Sequence, residues 1–345
     1  MQKSVLVTGG TGFLGVHLAR RFLKDGYRVT LFDLAPLDAV DLQNKVSVIN
    51  GDIRDKKAIE EAIKGHQYVV HAAAALPIQR SKDTIYSVNV DGTKNVLQAC
   101  LTLHIKKVVF ISTTAVYGVP KHLPETETSP LAPIGYYGES KKIAEDLCLR
   151  YTKKGLPVNI LRPKSFLGPE RLGVFELWFE AIYNGDRVYV LGDGNNLYQL
   201  LAVSDVADAV LKALQVKISG EIFNIGARDF GTWRHDLGFI IRQAKSKSVI
   251  TGIPVFPAQI ILRILEYLNL SPLSAWHYLT MPVPSYVSIE KAQKKLMWNP
   301  QKSNTQLLLE SYLWYKKHRK EVQGRIGKTH RVGWNFKILS LITKL

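Results

Sequence analysis

The segment Tyr137-Gly138-Glu139-Ser140-Lys141 sets a phenol and a lysine four residues apart, on one face if the segment is helical. A free phenol has a pKa near ~10 and is a poor base at neutral pH. An ammonium one turn away favours the phenolate and brings Tyr137 into working range for proton transfer at a hydroxyl or carbonyl. Tyr136 is a rival by position, but its i+4 residue is Ser140, so it lacks the cation. A hydroxyl cluster, Ser112-Thr113-Thr114, lies upstream in the run ISTTAVYG at 111–118.

A second group of residues is suited to phosphate. TGGTGFLG at 8–15 spaces Gly9, Gly12 and Gly15 three apart, between a β-branched run and an amphipathic one. Glycines there allow a tight turn, close approach of the backbone to a pyrophosphate, and packing of helix on strand. The phosphates then meet free N–H groups at the positive end of a helix. Gly9, Thr11, Gly12, Phe13, Leu14 and Gly15 are therefore the candidate phosphate-side contacts. Asp33 follows 18 residues after Gly15, where its carboxylate can bond both ribose hydroxyls and repel a 2′-phosphate. That selects NAD. Asp52 and Ile53 would flank the adenine, and the small residues Ala72, Ala73 and Ala74 would leave room for the middle of the cofactor.

These groups must be held by strands and helices in alternation. Strand patterns occur at 4–8, 28–32, 46–50, 68–72, 107–112 and 157–161, and helix patterns at 13–24, 56–64, 88–104 and 137–154. Such a rhythm predicts βαβ units and a doubly wound parallel Rossmann sheet, an α/β fold. Beyond Arg162-Pro163 the order loosens. The division expected is a dinucleotide domain at 1–165, with a strand at 221–225 returning to it, a smaller C-terminal substrate lobe at 166–320, and a tail at 321–345.

Composition sets the outer bounds. The 345 residues are 46% hydrophobic and 22% charged, ordinary for a soluble globular chain. Cys100 and Cys148 show no metal spacing, so no metal centre is expected, and with no leader pattern before MQKSVLVTGG they read as reduced core residues of a cytoplasmic protein. The net charge of +17 is concentrated late: residues 316–345 carry nine Lys/Arg against one acid. Along 334–345 Trp334, Ile338, Leu341, Ile342 and Leu345 share a helical face, a pattern for peripheral contact with an anionic membrane surface. The alternatives are a contact with a second copy, as in a homodimer, or a disordered end. No run of ~20 apolar residues suitable for spanning exists. Nucleic acid is not expected as a partner, because charge alone without a binding module is too little.

With these residues in order, the chain resembles the extended short-chain dehydrogenase/reductase family, in its NAD-dependent epimerase/dehydratase group. The matching motifs are 8–15, Asp33, 52–55 (DIRD), 71–74 (HAAA), 89–93 (NVDGT), 112–118 (STTAVYG), 137–141 (YGESK) and 162–169 (RPKSFLGP), over about residues 1–230. The resemblance implies that Tyr137 moves the proton and that Lys141 holds the nicotinamide ribose and tunes Tyr137. It implies that Thr113 bonds the substrate oxygen, with Ser112 as fallback. It also adds Asn89, Ser112, Tyr137, Lys141 and Pro163 to the cofactor contacts. The implied chemistry is reversible hydride transfer between NAD and a secondary alcohol or ketone of a small-molecule substrate.

Two substrate classes are compatible with the rest of the chain. Nucleotide-sugar enzymes of the group have an arginine in a segment resembling 192–205, GDGNNLYQLLAVSD, but here Tyr198 occupies that place and Ser165 replaces a usual asparagine. Losing an arginine fork removes a bidentate phosphate contact; Arg171, Arg187 and Arg234 are the candidate substitutes. The other class is a lipophilic alcohol, as in the 3β-hydroxysteroid dehydrogenase branch, to which the apolar helix expected at 258–268 is similar; that helix equally suits a cap on the small lobe. A non-catalytic NAD-binding subunit is the third reading. Retention of Tyr137, Lys141 and the hydroxyl partner argues against it.

Overall fold

Residues that are apolar on every side must be covered on both faces, and the first strand, β1 (Ser4–Thr8), is buried at all five positions. The computed structural model describes residues 2–79, 81–268, 273 and 275–324. In it β1 leads through the glycine turn into α1 (Phe13–Lys24), then β2 (Arg28–Asp33), β3 (Ser47–Asn50), α2 (Lys56–Ile63) and β4 (Tyr68–His71). A short α3 (Lys82–Tyr86), α4 (Thr93–Thr102), β5 (Lys107–Ile111), α5 (Gly135–Lys153) and β6 (Val158–Pro163) complete the N-terminal series. The helix expected at 88–104 differs most. Residues 87–92 wind as a π-helical turn between α3 and α4, and this turn carries Asn89 inward.

Past β6 come β7 (Phe166–Leu167), α6 (Phe175–Asn184), β8 (Val188–Leu191), β9 (Leu201–Ala202), α7 (Val203–Gln215) and β10 (Ile222–Ile225). The chain continues through α8 (Trp233–Ala244), β11 (Ile250–Ile253), α9 (Val255–Tyr267), α10 (Ala275–Thr280), α11 (Glu290–Leu296) and α12 (Asn304–Gly324). Seven parallel strands form one sheet in the order β10-β6-β5-β4-β1-β2-β3. The strand expected at 221–225 does return, with Ile222 beside Ile160 and Ile225 beside Pro163. The order reverses between β1 and β4, the switch point where a crevice opens at the carboxyl ends of open α/β sheets.

One face of the sheet is covered by α1 and α7, the other by α2, α4 and α5. A boundary at residue 165 therefore does not separate the cores. Val206, Val210 and Leu214 of α7, together with Ile289, Leu296 and Trp298, bury against the dinucleotide half, because the β5–β6–β10 side of the sheet needs a second cover. A separate core of Phe179, Tyr198, Trp233, Leu307 and Tyr315 belongs to the smaller lobe. α12 stays helical to Gly324, past the limit expected for the lobe, and the amphipathic pattern at 334–345 lies outside the described residues. Among the described residues no helix is long and apolar enough to cross a membrane.

A buried ion pair ties α5 to the sheet. Arg162 on β6 grips Glu145 on α5 in a fork, Nε to Oε1 at 2.9 Å and Nη2 to Oε2 at 2.6 Å, with both side chains 2% exposed. Arg162 also donates to the Tyr117 hydroxyl, which donates to Asn224 on β10. Removing one partner strands a charge, so Arg162→Met should cost about 3–5 kcal/mol of unfolding free energy. Adding Glu145→Met should recover part of it in urea titrations. A single variant as stable as the parent would show that the pair does not clamp α5.

Candidate active site

The glycine turn is shaped by contacts that leave no room for side chains. Gly9 has φ +69°, and a Cβ there would lie 2.8 Å from the Ala73 backbone; one on Gly15 would lie 2.4 Å from the Gly9 and Gly10 carbonyls. The first helical turn follows Gly12 with no side-chain cap, so its N–H groups are open to an anion. Phe13 and Leu14 bury their side chains in the core, leaving their backbone to face the crevice. Asp33, at the end of β2, accepts from Thr11 N at 3.1 Å and from Ala35 N at 3.2 Å. Both oxygens retain lone pairs for ribose hydroxyls. Asp52 is held by Arg54, which keeps its carboxyl below the usual range, while buried Ile53 packs under Gly92.

Between these strands a neutral histidine acts as a stitch. His71 is fully buried, with Nδ1 2.7 Å from Thr8 Oγ1 and Nε2 2.9 Å from Thr93 Oγ1. Thr93 donates its own hydroxyl proton to the Asn89 carbonyl, so it accepts from Nε2–H. Thr8 then donates to Nδ1 and accepts from Ala73 N–H. Burial, with a smaller push from Lys141, lowers the His71 pKa to about 3. The chain of bonds fixes Ala73 beside Gly9 and leaves Ala72–Ala74 partly open.

Two residues expected at the cofactor spend their side chains within the protein. Asn89 accepts from Ala75 N and donates to Ala75 O and Ser140 Oγ. Ser112 donates to Glu145 at 2.5 Å, so its hydroxyl turns away from the site and is not the substrate hydroxyl held in reserve. Pro163 ends β6 in the buried sheet.

The reacting group assembles from two elements. Thr113 caps the short helical turn at 114–117 by accepting from Ala115 N, and its hydroxyl acts on the Tyr137 phenol as a nearby donor that lowers the phenol pKa. Tyr137 lies in the first turn of α5; Tyr136 beside it is 46% exposed and meets the Tyr86 ring edge-on. Burial pushes the Tyr137 phenol up to about 12, opposed by Arg171 and Thr113. Lys141 is buried, donates to the Ile111 carbonyl at 2.6 Å and lies 4.2 Å over the Phe110 ring; burial lowers it to about 8. Arg171 is a cation whose charge also pulls the phenol pKa down. Sequence reasoning named Arg171 only as a phosphate candidate. Its guanidinium lies 5.6 Å from the Phe13 ring and 5.7 Å from that of Phe166, beside the glycine turn. Of the other candidates, Arg187 is exposed and Arg234 donates to the Asp193 carbonyl.

A parallel sheet with a glycine cradle at its switch point, an acid ending β2 and a Tyr–Thr pair over the strand ends define a dinucleotide-dependent oxidoreductase. The chain belongs to the NAD dependent epimerase/dehydratase family, whose model matches residues 5–226. It is an enzyme of that family and takes NAD. It is 36% identical over 341 residues to an uncharacterized protein of Sinorhizobium fredii, covering 99% of this chain and 85% of that one. It is 34% identical to a UDP-N-acetyl-alpha-D-glucosaminuronate decarboxylase of Bacillus cytotoxicus, over 74% of this chain and 84% of the other. A human sterol-4-alpha-carboxylate 3-dehydrogenase, decarboxylating, is 31% identical over 65% of this chain and 62% of its own length. Among solved structures, the UDP-glucose 4-epimerase of Thermotoga maritima with UDP-glucose superposes with a TM-score of 0.77 at 25% identity, covering 92% and 99% of the two chains. A dTDP-glucose 4,6-dehydratase of Bacillus anthracis in complex with NAD gives 0.73 at 25% identity, covering 92% and 98%.

The His71 stitch has a pH signature. Its folded pKa lies below the unfolded value, so the unfolded chain takes up the proton first as pH falls. The stabilisation is complete above about pH 6.5 and is lost on the way down to about 3. Between pH 7 and pH 5 this amounts to about 2 kcal/mol. His71→Gln should lose less stability over that interval than the parent by about that amount, read by urea unfolding at the two pH values; equal losses would mean His71 titrates normally.

Proposed function

We propose that the chain interconverts an alcohol and a ketone on a nucleotide sugar, keeping its NAD through turnover as an epimerase-type enzyme. The observation that carries the reading is the Tyr137 phenol at the start of α5, acted on by the Thr113 hydroxyl and by Arg171, whose guanidinium lies over Phe13 of the glycine turn. Bound NAD supplies a hydride acceptor at nicotinamide C4 and a positive charge. Thr113, a donor toward the phenol in the free enzyme, turns its hydroxyl proton to the substrate oxygen when substrate binds. Tyr137 takes the hydroxyl proton as the carbinol carbon gives up hydride, so charge does not build up on that carbon. A phenol held at about 12 is almost wholly protonated at neutral pH, so it needs help to give up its proton before it can act as a base. Arg171 offsets part of that burial cost, and Lys141, already desolvated, stands ready to bond the nicotinamide ribose and add its charge. The names of the Bacillus cytotoxicus and Thermotoga maritima relatives support a nucleotide sugar as substrate.

Tyr198 does not replace the arginine of the diphosphate segment. It is buried, stacked on Trp233 at 4.2 Å, with its hydroxyl bonded toward Ser165 and Thr280. Arg171 is the cation left to reach a phosphate from within the site. Denaturing freshly purified protein should release about one NAD per chain, and Tyr137→Phe should retain that NAD while losing at least 100-fold in turnover of UDP-sugars. Full turnover by the variant would sink the Tyr137 assignment, and protein free of nucleotide would sink retention.

A second reading, a lipophilic alcohol taken at an anionic membrane surface, is favoured by one observation. α9 buries Ala258 and Leu262 but exposes a row of large apolar residues, with Phe256 74%, Ile261 and Ile264 53% each, and Tyr267 87% exposed. Such a row on a chain of net charge +17 suits an interfacial helix. If it docks, Ile260→Glu with Ile264→Glu should cut sedimentation with phosphatidylglycerol vesicles at least tenfold. Sedimentation equal to that of the parent would remove this reading.

A further inference from the structure

Lys164 directly follows the buried Arg162-Pro163 pair and takes no part in the chemistry described above. It is 3% exposed, yet among the described residues no carboxylate lies within ion-pair distance of it. Its ammonium donates to Ser285 Oγ at 2.8 Å and lies 5.0 Å from the centre of the Tyr198 ring. An ammonium has three N–H donors. One hydroxyl and a ring face leave donor capacity that a buried position cannot give to water.

The same side chain lines a small cavity between the two lobes, with Thr114, Tyr117, Trp276, Thr280 and Ser285 on its walls. Thr114, on its wall, is the chain neighbour of Thr113. Thr280 and Ser285 bring hydroxyls from the smaller lobe. Glu125, also on the wall, is the charged group that acts on Lys164, and it offsets part of the ammonium charge when the cavity holds no ligand. Its presence decides what kind of anion fits. Beside one lysine and one carboxylate, a dianionic phosphate leaves two uncompensated charges in the cavity, whereas a monoanion leaves one, so a monoanion is the better fit.

We infer that the Lys164 cavity is a subsite for a carboxylate carried by the substrate, so that the enzyme prefers an acidic sugar over its neutral counterpart. This rests on the nucleotide-sugar reading for the rest of the substrate, not for the subsite itself. Burial lowers the Lys164 pKa to about 7, against a smaller upward pull from Glu125. A carboxylate arriving beside it raises that value again. Binding at pH 7.5 therefore takes up a proton, which a purely structural lysine would not do.

The test is calorimetry on the full chain at pH 7.5, in two buffers of different ionisation enthalpy. UDP-glucuronate is compared with UDP-glucose, and free D-glucuronate with D-glucose. In the parent the acidic member of a pair should bind at least tenfold more tightly, with a buffer-dependent heat showing proton uptake. Lys164→Met should bring the acidic-to-neutral ratio to within about twofold and remove the uptake. Lys164→Arg should keep a preference without uptake, because its guanidinium stays charged. No preference in the parent in either pair, or a preference that survives Lys164→Met, overturns the subsite. The two readings separate: both UDP-sugars binding equally leaves the nucleotide-sugar reading and removes the subsite. A preference seen only for free glucuronate, with neither UDP-sugar bound, does the reverse.

Discussion

β1 and β4 lie side by side at the centre of the sheet, but the chain leaves them in opposite directions, and this one reversal creates the place where a dinucleotide can lie. The opening is useful only if its two lips stay close. Gly9 and Ala73 approach so nearly that a single methyl group would collide, and the Thr8–His71–Thr93 chain holds that approach from beneath. A charged imidazole would need a counter-charge that the strands do not offer. Burial keeps it neutral, and the tautomer with the proton on Nε2 satisfies each hydroxyl in turn. Phosphate cradle, central alanines and the π-helical turn around Asn89 all take their positions from this crossing.

The site over the strand ends depends on a second, more distant brace. Tyr137 occupies the first turn of α5, and its direction is set by how α5 sits on the sheet. Glu145, two turns along, is clamped by Arg162 and also receives the Ser112 hydroxyl, so β5, β6 and α5 meet at one carboxylate. Thr113, the next residue after Ser112, is thereby fixed opposite Tyr137. The Ser112, Tyr117, Asn89 and Arg162 side chains are engaged within the protein. In the proposed reaction Thr113, Tyr137, Lys141 and Arg171 are the groups left to act.

Much of this was legible in the residues. The strand–helix rhythm marks each of the seven sheet strands to within about a residue or two, including the late return at 222–225, because strands buried on both faces are continuous apolar runs. Tyr137 could be preferred to Tyr136 from spacing alone. Other features depend on contacts made across the fold. Periodicity cannot show that Asn89 sits in a π-helical turn, since the same residues satisfy an ordinary helix pattern. The domain limit at 165 followed the loss of βα rhythm, yet α7 is needed by the sheet and packs back on it. Arg171 carries no local signal for its place beside Tyr137, because it is brought there by the loop between β7 and α6.

Desolvation links these parts energetically. Tyr137, Lys141 and Lys164 are all carried away from their ordinary pKa values by burial, and each shift disfavours the charged form. A protein gains nothing in stability from such groups on their own. Each becomes favourable when a counter-charge arrives. In the proposed reaction nicotinamide and Arg171 would serve the phenolate, and an anionic substituent would serve Lys164. The cost of burying three ionisable groups is therefore carried by the free enzyme and relieved in the complex. Binding energy is directed to the state in which cofactor and substrate are both in place.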